Sequence, residues 1–151
     1  MVHALRRAAG LLAPGGQAID IRALDEKAEF LVVSPDDAAP RFCGIMRETD
    51  EGIEYGQAEA ALKEALALGI LGLAAEHRFI FRHHAPDLPS MRAYLADTWT
   101  DFIIDPEVAE AIDEALAQGG PGSEIVLRER GWLRVLTSPL ASSPQAPSTS
   151  P

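Results

Sequence analysis

The side chains with the strongest chemical potential are two adjacent histidines, His83 and His84, followed by Asp87. At the end of a strand, where open α/β sheets place their substrates, they could act as a general base or ligate a metal. Successive strand residues point to opposite faces, so the two imidazoles are not expected to share one ion, and surface or substrate-pocket histidines are the alternative. Tyr94, Trp99 and Phe102 follow at spacings that suit either an apolar substrate pocket or the packing of two helices. Asp20, between Ile19 and Ile21, would either orient a substrate at the mouth of a sheet or serve as an ordinary strand-end carboxylate. No Ser-His-Asp, Cys-His or paired-carboxylate spacing supports independent hydrolysis, and no metal-ligand set is expected.

The elements that must position these groups follow from periodicity. Leu5, Ala8, Ala9 and Leu12 recur at helical spacing, and Pro14-Gly15-Gly16 ends that helix before a buried strand over residues 17 to 21. The helix starts within a residue or two of Met1 without a capping side chain, so an upstream neighbour is expected. Glu29 to Val33 and Arg41 to Arg47 are strand candidates able to pair as an antiparallel hairpin. Gln57 to Leu68 has a clear amphipathic helical pattern, with Gly69 suited to its C-terminal cap. Leu73 to His83 reads as a strand, its dense apolar centre predicting burial on both faces. Pro86-Asp87-Leu88-Pro89 starts a helix reaching about Thr98. Asp105-Pro106-Glu107 starts another, reaching Gln118. Residues 123 to 136 read as one bulged long strand or a hairpin, the bulged strand being favoured.

The Leu11–Ile21 segment, a helix running through Pro-Gly-Gly into a strand, resembles the segment that enters the fifth sheet strand of class I S-adenosylmethionine (SAM)-dependent methyltransferases. The likeness extends over residues 2 to 137 and implies an α/β fold, the distal half of a Rossmann-like methyltransferase sheet. Residues 17 to 21 would be its fifth strand, 73 to 83 its sixth and 123 to 136 the antiparallel seventh, inserted between the other two. The resemblance further implies a substrate-side portion that transfers a methyl group from SAM to an unidentified small molecule by in-line displacement.

The family's cofactor determinants, a glycine-rich loop after the first strand and an acidic residue ending the second, have no counterpart here, and no cofactor-binding residue is assigned. Gly15-Gly16 and Gly119 to Gly122 each follow a helix and precede a strand, whereas a phosphate- or cofactor-cradling loop follows a strand and opens a helix. Micromolar binding is worth about 8 kcal/mol, and three lost charge-assisted hydrogen bonds remove roughly 4 to 9 kcal/mol. The chain alone is therefore expected to be inactive and not to bind SAM.

Composition bounds the remaining classes. A chain of 151 residues, 47% hydrophobic and 24% charged, is long enough for one domain with a core. Residues 138 to 151, almost all Ser, Pro, Ala and Thr, are expected to form a disordered tail. Twenty-three acidic against thirteen basic residues give a formal charge of −10, without a basic cluster for nucleic acid or an anionic membrane. The single cysteine, Cys43, and the lack of a signal-like segment fit a cytoplasmic, reducing location. An apolar strand at 17 to 21 without a fourth strand beside it would leave an open edge, which predicts a homodimer, a partner chain carrying the N-terminal half, or poor solubility. A non-catalytic interaction module using that edge, or a truncated gene product, is the alternative to the enzyme portion.

Overall fold

The computed structural model describes residues 2–24, 26–48, 53–99 and 101–138. Residues 139–151, nearly all of the expected tail, lie outside the described residues. The chain is a mixed α/β protein. Its elements are α1 (Val2–Leu11), β1 (Gln17–Ala23), β2 (Glu29–Val33), β3 (Arg41–Ile45), β4 (Arg47–Glu48), α2 (Ile53–Ala67), β5 (Gly72–Ala85), α3 (Leu88–Thr98), β6 (Phe102–Ile103), α4 (Pro106–Gly119) and β7 (Glu124–Thr137).

Five strands form one sheet in which β7 pairs with β1, β2 and β5, and β2 pairs in turn with β3. The direction of pairing follows from the bonds at the two ends of each strand. Leu24 N donates to Arg130 O and Ser138 N to Gly16 O, so β1 and β7 run antiparallel. His84 meets Glu124 while Thr137 Oγ1 donates to Gly72 O, which makes β5 antiparallel to β7 as well. The favoured reading of residues 123 to 136 as one long strand agrees with β7.

Two compact units divide the chain, with β1, β5 and β7 each contributing residues to both. In the first unit Leu62, Leu71 and Leu136 form a buried cluster against which Leu5, Ala9, Leu12, Leu66 and Ile70 pack. α2 stops where the sequence predicts. Gly69 adopts φ +66°, the Gly69 N–H bonds to Leu66 O, and the Ile70 N–H reaches Ala65 O, which together satisfy the last carbonyls of the helix. Arg134, on β7, is buried beneath three acids: its Nε donates to Glu76 at 2.6 Å, its Nη1 and Nη2 to Glu59 at 2.6 and 3.1 Å, and Asp20 lies 3.9 Å away.

The second unit holds the larger core. Phe30, Ile125 and Leu127 from the β2–β7 pair, with Met91 and Ile112 from α3 and α4, are almost wholly withdrawn from solvent. β2 and β3 form the expected antiparallel hairpin, with a register shift between Phe30 and Leu31. Cys43, on β3, is half-buried beside this core, its thiol directed to Arg41 O at 3.6 Å.

Two expectations about burial are corrected. β1 is not a buried strand: Ile19 and Ile21 are 66% and 62% exposed, and the half-buried positions alternate through Ala18, Asp20 and Arg22. β5 is not buried on both faces either, with Ile80 at 45% and Phe81 at 39% exposure. Both strands pair only with β7 among the described residues, so solvent reaches them along one side. The β-forming side chains of β5 act across the strand pair instead. Phe79 lies over Gly131 of β7 so closely that a Cβ there would fall 2.5 Å from the ring.

Candidate functional site: an aromatic cluster around α3 and β6

All of this site belongs to the second unit. α3 begins where Asp87 caps it, the carboxylate accepting from Ser90 N at 2.8 Å; hydrogen bonding from the Ser90 side chain first, and from its backbone N–H second, holds Asp87 below the ordinary carboxylate range. Met91 and Leu95 seat the helix on the core, which turns Tyr94 and Trp99 toward β5 and β6. β6 is held by pairing with β4, Arg47 opposite Ile103 and Glu48 opposite Phe102.

A clamp fixes the same corner. Arg47 grips the Asp105 carboxylate through Nε and Nη2 at 2.8 to 3.1 Å, and this holds Asp105 below its ordinary pKa. The sequence predicts Asp105 as the cap of α4. It occupies that position, yet its side chain makes no capping bond, because a bidentate charged partner is the stronger claim on a single carboxylate.

Four of the six residues singled out from the sequence meet here. The His83 ring stacks on Tyr94 with centroids 3.4 Å apart and planes 6° from parallel. Tyr94 and Trp99 centroids are 6.4 Å apart, and Trp99 and Phe102 are 5.1 Å apart. Phe81 adds a fifth ring, 6.4 Å from Trp99. Tyr94, Trp99 and Phe102 all pack half-buried on the core, and Trp99 and Phe102 also border open space. Beside them, Leu95, Ala96, Trp99, Phe102 and Ile104 line a cavity of about 430 Å³ with Arg92 at its rim.

The electrostatics of the cluster favour neutral rings. Burial, followed by the neighbouring His84, pushes the His83 pKa down, so the imidazole loses its proton more readily than usual. Burial, followed by Glu129, pushes Tyr94 up. Glu129 on β7 is raised in turn, first by burial and then by Glu48.

The remaining two residues lie elsewhere. His84 leaves His83, as the alternation of a strand requires, and its Nδ1 pairs with Glu124 Oε1 at 2.8 Å. With Ala85, Pro86, Gly122 and Ser123 these two line a shallow cleft of about 240 Å³. Asp20 joins the Arg134 network in the other unit and does not meet the aromatic cluster. No group of three or more metal-ligating side chains occurs among the described residues, and no described helix is long and apolar enough to cross a membrane.

Arg92, Phe81, Glu124 and Glu129 were not singled out from the sequence. Arg92 carried a legible signal, since it lies one helical turn before Ala96 and two before Trp99 on the same face. Glu124 and Glu129 gain their neighbours only through strand pairing, which no local spacing encodes. No family model, curated protein or solved structure matches the chain.

Proposed function

We propose that this chain is the substrate-side portion of a SAM-dependent methyltransferase acting on a small molecule, with the His83–Tyr94–Trp99–Phe102 cluster contributing to the acceptor site. The observation that carries the reading is that β7 pairs antiparallel with both β1 and β5. Antiparallel pairing with both neighbours is what the resemblance implies for the family's seventh strand, and it supports the reading. The helix and Pro-Gly-Gly turn ahead of β1 also support it, whereas the pairing of β2 with β7 is an addition to the expected pattern.

Methyl transfer asks mainly for alignment of a nucleophile with the methyl carbon. Aromatic faces held by α3 and β6 supply such alignment, and a neutral imidazole is an acceptor for the proton a hydroxyl nucleophile releases. SAM itself would be held by a separate N-terminal half. The test is a panel of phenols, catechols and amines added to labelled protein, followed by the NMR signals of His83, Tyr94 and Trp99. Saturable shifts confined to this cluster are expected for at least one class; a panel that leaves all three signals unmoved would overturn the assignment.

A second reading, a non-catalytic interaction module, has one observation in its favour. Ile19 and Ile21 are exposed on a strand that ends the sheet order. A dimer in light scattering that Ile21→Lys converts to a monomer, with no ligand for the aromatic cluster, would favour it.

A further inference from the structure

We infer that the cavity between α3 and β6 binds a small aromatic carboxylate, its ring against Trp99 and Phe102 and its carboxylate on Arg92. The cavity of about 430 Å³ lies within the range of small-molecule sites and has room for a mono- or bicyclic ligand. Its lining mixes polar and apolar surface in about equal measure, and the apolar part is aromatic at its centre: Leu95 is buried, Trp99 and Phe102 are half-buried, and their rings stand 5.1 Å apart at 45°. Two tilted aromatic faces favour a flat ligand over a branched aliphatic one.

The charge at the rim selects the other end of the ligand. Arg92 is exposed and has no carboxylate partner among the described residues, in a chain whose net charge is −10. A guanidinium fork without an internal partner matches a carboxylate in two parallel hydrogen bonds. A single arginine balances one negative charge, which favours a carboxylate over a phosphate dianion, and its positive charge disfavours an amine.

This inference deepens the acceptor-site reading, with which it shares Trp99 and Phe102, yet its test needs no cofactor. Labelled protein is titrated with benzoate and, separately, with benzamide, which has the same ring without the charge; the Trp99 indole N–H is followed, assigned with Trp132→Phe. Benzoate is expected to shift Trp99 saturably and to bind roughly tenfold more tightly than benzamide. Arg92→Gln, an exposed change that leaves the remaining spectrum in place, is expected to abolish that difference while preserving benzamide binding. Equal affinities in the unaltered protein, or no movement of Trp99, would overturn the inference. If benzoate fails while the phenol, catechol and amine panel still shifts His83 and Tyr94, the carboxylate preference falls and the acceptor-site reading stands. If benzoate binds while SAM also binds the isolated chain, the methyltransferase portion as drawn falls and the carboxylate site stands.

Discussion

His83 shows how a residue legible from sequence acquires its chemistry from packing. Its place at the end of a strand can be read locally, but the Tyr94 ring 3.4 Å away and the lowered pKa depend on α3 folding back over β5. A histidine whose folded pKa lies below its ordinary value binds fewer protons in the folded state, so its stabilising effect is complete above about pH 6.5 and is lost as pH falls toward the folded pKa. An NMR titration of the His83 ring should therefore give a midpoint below 6.5, with stability declining through the same window and the decline reduced in His83→Gln. A midpoint at or above 6.5 would contradict the burial of that ring. Glu129 has the opposite sign. Its carboxyl is raised by burial and by Glu48, so ionisation opposes folding as pH climbs past the ordinary carboxylate range, and Glu129→Gln should make the protein more stable at pH 7 than the parent in urea denaturation.

At the scale of elements, starts and stops were the legible part because they are written in local chemistry. Gly69 ends α2 by taking a positive φ, Asp87 caps α3, and Pro106 opens α4. Burial was not legible, because Ile19 and Ile80 have the composition of core residues and only the sheet order puts their strands where water reaches them. The same limit applies to Gly131, which in the fold is the point where Phe79 of β5 and Arg22 O of β1 both approach β7. Gly131→Ala should cost about 1 to 3 kcal/mol by overpacking, and a Phe79→Leu background should recover part of it. Arg134 is the other element-level joint. Arg134→Met leaves Glu59, Glu76 and Asp20 without the cation they surround, and because those acids keep part of their surface in water the expected loss is about 2 to 4 kcal/mol, toward the lower end of a broken buried pair. A loss below about half a kcal/mol in chemical denaturation would show the network to be solvent-screened.

For the whole molecule, the candidate site and the cofactor question separate. Four of the six residues singled out from the sequence converge because α3 and β6 are close in the chain to the end of β5; Asp20 does not, because it lies with Arg134 in the other compact unit. The glycines a cofactor would need remain in helix-to-strand turns: Gly15 precedes β1, and Gly120 and Gly122 precede β7. Amide groups there do not open a helix toward a ligand. The most direct measurement is therefore a calorimetric titration of the purified chain with SAM, with mass by light scattering recorded on the same sample. A folded chain that produces no saturable heat of binding is the predicted result; saturable micromolar binding would mean that the chain builds a cofactor site of its own and would contradict its assignment as a substrate-side portion.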